Sequence, residues 1–151
     1  MFSQERVVEE GLKLLNSPFH HKGRSSIGID CAGVLILSYK KAEIIKNYND
    51  IHEYTPLWWT KTKEEFLLNG LIENDFCIVK DEPQLADIVT FILYKKNVPV
   101  NHCGMIVDNN KNFIHAKCGK YKKKNFVSID NLEPNYIKRF AYLLRYRGFM
   151  K

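Results

Sequence analysis

Three residues carry the groups that cleavage of an acyl bond requires: Cys31, His102 and His115. In the segment GIDCAGVLIL, Cys31 falls on the first turn of a predicted apolar helix, where free backbone N–H groups and the helix dipole favour a thiolate. Such positions lower a cysteine pKa from about 8.5 to between about 3.5 and 7.5, and the same N–H groups can bind an oxyanion. The alternative interpretation is a small buried apolar residue.

The two histidines lie in the segment HCGMIVDNNKNFIHAK, which predicts two strands joined by a tight turn at Asn109-Asn110. This register pairs Gly104 with His115 and places His102 on the same face, with the two Cβ atoms about 7 Å apart. One imidazole can then act as base while the other accepts its second N–H and fixes its tautomer. A one-residue slip would put the rings on opposite faces.

Zinc ligation by some of Cys31, Cys103, His102 and His115 is a different interpretation of the same residues. However, His102 and Cys103 are adjacent, and neighbouring side chains of a strand point to opposite faces. We therefore expect no metal site, and the cysteine–histidine chemistry needs no organic cofactor.

The surrounding elements are predicted from hydrophobic spacing and turn residues. Helices are expected at residues 4–15, capped by Ser3, at 31–46, capped by Asp30, and at 58–69, ended by Gly70. Short strands rich in β-branched and aromatic residues are expected at 88–94, 103–107, 112–116, 126–129 and 140–146. Helices followed by strands indicate an α+β fold with an antiparallel sheet.

The composition of the 151-residue chain predicts one globular domain over residues 1–151. No apolar run approaches the roughly 18 residues of a membrane span, and the charged residues 1–10 do not resemble a Sec-type signal peptide. The net charge of +6 favours polyanionic surroundings such as nucleic acid, anionic lipid or bacterial wall polymers. Four cysteines without a C-x-x-C pair favour reduced thiols.

The segments GIDCAGVL, LADIVTF, NHCGMIV and FIHAK, in this order, resemble the NlpC-type papain-like cell-wall peptidases. The loop SPFHHKGRSSIGIDCAGV resembles the branch of that family found in phage tail assemblies. The resemblance covers residues 17–146 and implies a papain-like α+β fold, with the nucleophile at a helix N-terminus and the helices packed on an antiparallel sheet. It implies Cys31 as nucleophile, His102 as base and His115 as the polar third member.

The implied reaction is hydrolysis of the γ-D-glutamyl to diamino-acid bond in peptidoglycan stem peptides, by a catalytic domain without metal or cofactor. In relatives, the Asp beside the nucleophile helps to bind the free amine of the stem peptide, which gives Asp30 this role besides capping. His21 and Arg24 complete the expected substrate-binding residues.

Three positions depart from the family pattern. Ala32 stands where relatives commonly have Ser, whose hydroxyl helps to hold the substrate amine. Phe19 lies about where relatives often place a Tyr that supports the oxyanion, and since Phe cannot donate a hydrogen bond, His20 or His21 is the alternative donor. Ala86-Asp87 replaces the usual Gly-Asp before the central strand, a change of turn geometry more than of chemistry.

Two other functions fit the same residues. A cysteine–histidine pair does not select the acceptor, so an acyltransferase or amidase of this fold is one alternative. A non-catalytic phage tail or wall-binding module is the other, with the lysine-rich loop 117–124 and Trp58-Trp59 as its surface. We expect the stem peptide as partner, phage tail proteins as further partners, and neither nucleic acid nor a membrane span. Without a signal peptide, we expect cytoplasmic synthesis, with delivery on a tail, release by lysis and cytosolic recycling as the open alternatives.

Overall fold

The computed structural model describes residues 3–50, 54–118 and 125–150. Its helices are α1 (Ser3–Leu12), α2 (Cys31–Lys41) and α3 (Phe66–Glu73), and 3-10 turns cover Trp58–Thr60, Tyr136–Arg139 and Arg147–Phe149. The strands are β1 (Arg24–Ser25), β2 (Gly28–Ile29), β3 (Phe76–Val79), β4 (Ile88–Phe91), β5 (His102–Ile106), β6 (Asn112–Ala116), β7 (Val127–Asn131) and β8 (Phe140–Tyr146). Within these ranges no helix is long and apolar enough to cross a membrane.

Six strands form one antiparallel sheet in the order β3-β8-β4-β5-β6-β7, and β1 pairs with β2 in a separate small hairpin. Helix α2 packs on β5 and β6, and α1 packs on α2. The main core fills the space between these helices and the sheet. The predicted α+β class with an antiparallel sheet is confirmed.

Helix α2 is held against the sheet by a buried face that includes Val34, Leu35 and Tyr39. The Tyr39 hydroxyl, itself inside the core, donates to the carbonyl of Ala86 at 2.8 Å. At the other end, Asp30 caps the helix, because its carboxylate accepts from the Gly33 N–H at 2.9 Å. The predicted N-cap is confirmed, and it fixes the first turn of α2 on the sheet side.

The β5–β6 hairpin has the predicted register, with Ile106 opposite Phe113 and Met105 opposite Ile114. The turn itself differs from the prediction, since Lys111, with φ 63°, is the left-handed residue rather than the asparagines. The Asp108 carboxylate accepts from the backbone N–H groups two and four residues ahead, at 2.8 and 3.3 Å, and so closes a longer turn. The lengthened turn leaves the facing pairs unchanged.

The predicted helix ends were less accurate. Helix α2 stops at Lys41 instead of residue 46, because Glu43 adopts a left-handed backbone with φ 61°. The segment predicted as one helix over 58–69 is divided into a 3-10 turn and α3, and Gly70 lies inside α3 instead of ending it. Strand β3 and the β1–β2 hairpin were missed, and residues 119–124 of the lysine-rich loop lie outside the described ranges.

One ion pair lies inside the sheet and supports the turn before β4. Arg145 on β8 donates to Asp87 at 2.8 and 2.7 Å, and both side chains are at most 5% exposed. Asp81, which is 59% exposed, holds the outer side of the same guanidinium at 2.9 and 3.0 Å. Burial is the largest influence on the pKa of Asp87 and raises it, whereas Arg145 acts in the opposite direction.

We expect Asp87→Ala to lower the free energy of unfolding by about 3 kcal/mol, because it leaves a buried guanidinium short of its inner partner. Urea unfolding measures this loss. The matched control is Lys13→Ala, which breaks the exposed pair with Glu10 and should cost less than about 1 kcal/mol. Equal losses in the two variants would contradict the burial argument.

Candidate active site

Cys31 is the first residue of α2 and lies on the floor of an open cleft of about 610 Å³. Aromatic side chains form much of the wall, where Trp59 stacks on Tyr94 with ring centroids 5.7 Å apart and Trp58 packs against Phe66. The thiol is partly exposed in the first turn of α2. The position combines access for a substrate with the positive end of a helix dipole.

The pKa of Cys31 lies well below its ordinary value, and the largest cause is a hydrogen bond from the Cys103 thiol. Burial acts in the opposite direction, while a hydrogen bond and the charge of His102 lower the pKa further. The pKa of Cys103 is correspondingly raised, because its proton is held by the neighbouring sulfur. The lower pKa therefore belongs to Cys31, and Cys103 acts as a hydrogen-bond donor.

The Cys103 thiol gives a test of this assignment. We expect Cys103→Ala to raise the pKa of Cys31 and to slow its labelling by iodoacetamide near pH 6, because a donor to the thiolate is lost. Cys103→Ser keeps a donor of similar size and should label nearly as fast as the unaltered protein. Peptide mapping by mass spectrometry assigns the label to each cysteine. Indistinguishable profiles for the Ala and Ser variants would contradict the role of Cys103.

A chain of hydrogen bonds leads away from the cysteine. His102 Nε2 lies 2.7 Å from His115 Nδ1, and His115 Nε2 lies 2.7 Å from Asp130 Oδ2. Both imidazoles are buried. Gly104 makes the pairing possible, because a Cβ there would lie 3.3 Å from the Cβ of His115 and 2.5 Å from the ring of Phe113.

The positions of the protons on His102 and His115 follow from which atoms can only accept a hydrogen bond. Burial is the largest cause and lowers the pKa of His115 to about 4, whereas the hydrogen bond to Asp130 acts in the opposite direction, so the ring is neutral at pH 7. The Asp130 carboxylate, whose pKa is lowered by its bond to His115, can only accept, so His115 carries its proton on Nε2. His115 Nδ1 must then accept from His102 Nε2–H. The remaining His102 atom, Nδ1, is left to exchange a proton with Cys31.

Asp130 is the member that sequence reasoning missed. It lies on β7, where Ser128 is the residue opposite His115, so Asp130 is its diagonal neighbour on the same face. Lys117 pairs with the same carboxylate at 3.1 Å. The pattern Val-Ser-Ile-Asp-Asn of a half-buried strand gave the signal, but the pairing partner of that strand was needed to use it.

Asp30 lines the cleft, and its carboxylate is bonded to groups of the protein. Its Oδ1 accepts from Arg24 Nη1 at 2.7 Å and from the Gly33 N–H, and its Oδ2 accepts from the Lys22 N–H at 3.0 Å and from the Tyr54 hydroxyl. A carboxylate offers about four lone-pair positions, and these contacts use all of them. Burial raises the pKa of Asp30, with the Cys31 thiolate as the next cause, while Arg24 lowers it.

The guanidinium N–H groups of Arg24 are likewise all bonded within the protein. Its five N–H groups donate to both oxygens of Asp50 at 2.7 and 3.0 Å, to Asp30, to the Gly23 carbonyl at 2.8 Å and to the Tyr54 hydroxyl at 3.1 Å. No N–H group remains for a substrate carboxylate. The two side chains tie the loop before α2 to the segment that contains Tyr54, and their substrate-binding roles stay predictions.

His21 does line the cleft, beside Phe19. Its Nε2 lies 2.8 Å from the Tyr54 carbonyl, and its ring packs edge-on against the Tyr54 ring. Nε2 therefore donates within the protein, and its substrate-binding role stays a prediction. His20 Nδ1 lies 2.9 Å from the carbonyl of His21. His20 Nδ1 and His21 Nε2 are thus both bonded to carbonyls of the protein and do not face an oxyanion.

Within the described residues, no group of three or more His, Cys, Asp or Glu side chains is arranged to hold a metal ion. His102 and Cys103 do point to opposite faces of β5, since one contacts His115 and the other packs in the main core.

No protein-family model and no curated protein sequence matches the chain. Solved structures do match the chain. An NlpC/P60 family protein from Bacillus cereus has a TM-score of 0.64 at 23% identity, covering 95% of this chain and 40% of that one. The NlpC/p60 domain of the peptidoglycan hydrolase SagA has a TM-score of 0.58 at 14% identity, covering 94% and 97%. NlpC2 from Trichomonas vaginalis has a TM-score of 0.63 at 17% identity, covering 95% and 46%.

At these identities the likeness shows the fold, which is the papain-like α+β fold of NlpC/P60 proteins. The predicted papain-like fold is thereby confirmed. The chain spans 40% of the first of these structures and 46% of the third, and nearly the whole of the SagA domain.

Proposed function

We propose that the protein is a cysteine peptidase that hydrolyses peptidoglycan stem peptides at the γ-D-glutamyl to diamino-acid bond. One observation carries the proposal: in an open cleft, a cysteine of lowered pKa meets the first residue of the chain His102–His115–Asp130. A purely structural cysteine needs neither the low pKa nor the ordered histidines.

In the first half of the reaction, the Cys31 sulfur attacks the scissile carbonyl carbon. The backbone N–H of Cys31 and a neighbouring donor hold the oxyanion at the helix N-terminus. The carbon–nitrogen bond then breaks as His102 Nδ1–H gives its proton to the leaving amine, which leaves an acyl thioester on Cys31.

In the second half, water attacks the thioester carbon while His102 Nδ1 takes a proton from it. The carbon–sulfur bond breaks, the peptide acid leaves, and the thiolate returns. His115 and Asp130 keep the proton of His102 on Nε2, so that Nδ1 faces the reaction in both halves. The reaction consumes one water and needs neither metal nor organic cofactor.

Two observations support the proposed substrate. The four motifs around the site resemble those of cell-wall peptidases, and one protein of the same fold is named a peptidoglycan hydrolase. We propose residues 1–151 as one catalytic domain, and phage tail proteins as partners on the strength of the loop before Cys31 alone.

The test is incubation of the purified protein with the stem tripeptide L-Ala-γ-D-Glu-diaminopimelate and mass spectrometry of the products. The dipeptide and free diaminopimelate are expected. The matched control is the isomer with an α-linked L-Glu, which should stay intact. No cleavage above the level of Cys31→Ala would overturn the proposal.

The same experiment separates hydrolysis from acyl transfer. In the presence of an added amine such as glycine, a transferase yields the glycyl adduct of the dipeptide, whereas a hydrolase yields the free acid. A product found mainly as the adduct would replace peptidase by acyltransferase.

A further inference from the structure

A small cavity of about 40 Å³ opens beside Cys31 and adjoins the main cleft, with which it also shares Asp30, Tyr54, Trp58 and Asn101. Since a water needs at least about 10–15 Å³, it has room for a group the size of an alanine residue. Its walls include Ala32, Trp58, Phe66 and Leu67. The cavity is therefore small and lined largely by apolar side chains.

The position of this cavity relative to His102 indicates which part of a substrate it takes. Cys31 lines both the cavity and the main cleft, whereas His102 lines only the main cleft. The leaving amine must lie near His102, because that residue gives it a proton. The acyl part of the substrate then lies on the other side of Cys31, toward the cavity.

The polar residues that line this cavity are hydrogen-bonded within the protein, and the carboxylate of Asp30 is saturated. The Asp30 carboxylate accepts four hydrogen bonds from protein groups. Asn101 exchanges two hydrogen bonds with the backbone of Leu93, at 2.8 and 2.9 Å. The Tyr54 hydroxyl donates to Asp30 and accepts from Arg24. Ala32 brings no hydroxyl, so an ammonium group placed here would lose hydration and meet only the second lone pairs of the neutral Asn101 and Tyr54 oxygens.

We propose that this cavity, formed by Ala32, Trp58, Phe66 and Leu67, takes an uncharged N-acylated residue of the acyl side, so that the enzyme prefers stem peptides whose N-terminal amine is blocked. This inference rests on the proposed function and specifies its substrate. A blocked amine is what the stem peptide has while it is amide-linked to the glycan, and a free amine is what a released fragment has.

The test compares kcat/KM for the stem tripeptide with a free amine and for its N-acetyl form. We expect the acetylated peptide to be cleaved at least about tenfold better, since an incompletely paired charge costs about 1.4 kcal/mol or more, the equivalent of a factor of ten. A preference for the free amine, or equal rates, would overturn the inference while leaving the proposed function intact.

A variant at position 32 tests whether the missing hydroxyl causes the preference for a blocked amine. Ala32→Ser adds a hydroxyl beside the cavity and should move the ratio of the two rates toward the free amine by about threefold to tenfold. Ala141→Ser, on β8 and outside both cavities, should leave the ratio unchanged. A ratio that Ala32→Ser does not move would contradict the role given to position 32.

Binding distinguishes failure of the inference from failure of the proposed function. Calorimetric titration of the Cys31→Ala protein with both peptides needs no turnover. Tighter binding of the acetylated peptide supports the inference even if neither peptide is cleaved. Tighter binding of the free amine, or no binding of either peptide, overturns it.

Discussion

Cys31→Ala is expected to lower kcat/KM for the stem tripeptide by about 10⁴-fold or more. The reason is that alanine offers no sulfur to form the acyl thioester. Mass spectrometry of the product at several times gives the rate. The variant should fold normally, because the thiol is partly exposed at the cleft.

Cys77→Ala is the matched control for this effect. Cys77 lies on β3, where its sulfur is 3.1 Å from the Met150 sulfur, and it does not line the cleft. Its loss should leave the rate within about twofold, as expected of a side chain away from the reacting atoms. If Cys31→Ala kept a tenth of the rate, another nucleophile would have to carry the reaction.

The local parts of the site were predictable from the sequence. Helix capping is a matter of neighbouring residues, and the position of Asp30 before Cys31 gave both the cap and the helix start. The register of a hairpin is set by its own turn, so the His102–His115 pair followed from spacing. The error in the left-handed residue did not matter, because the longer turn keeps its centre between residues 109 and 110, and that centre sets the facing pairs.

The parts that depend on distant contacts were not predictable in the same way. Asp130 reaches His115 because β7 pairs with β6, and the long connection between these strands sets no register. The commitment of Asp30 to Arg24 and Tyr54 joins segments 24 residues apart in sequence, and only a full account of the hydrogen bonds shows that the carboxylate is saturated. Motif resemblance placed Asp30 beside the nucleophile, and the contacts that hold its carboxylate come from segments that no motif connects.

This difference has a consequence for the substrate. In the resemblance, Asp30 and a serine after the nucleophile together hold a charged amine. Here the carboxylate is used internally and position 32 is alanine, so the departure at Ala32 and the saturation of Asp30 act in the same direction. We therefore expect a substitution at position 31 to change the rate of the reaction, and a substitution at position 32 to change the preference between a free and a blocked amine.

His102→Ala should lower kcat for the same peptide by about 10³-fold, within the range for loss of general acid–base catalysis. It should also raise the pKa of Cys31, because the thiolate loses a hydrogen bond and a nearby positive charge. Labelling of Cys31 by iodoacetamide near pH 6 should then slow, and the rate should recover as the pH rises and the thiol ionises. This pH profile is a readout that a merely structural role of His102 would not move.

His115→Ala provides the graded comparison for this prediction. It removes the acceptor of His102 Nε2–H but leaves Nδ1 beside Cys31, so kcat should fall by only about 10- to 100-fold, as for residues that orient a catalytic group. His115→Asn keeps an acceptor of similar reach and should recover part of that loss. Circular dichroism checks that each variant is folded. Equal losses of kcat for His102→Ala and His115→Ala, with unchanged labelling of Cys31 in both variants, would contradict the order His102–His115–Asp130. Such a result would also contradict the role of His102 as the group that moves the proton.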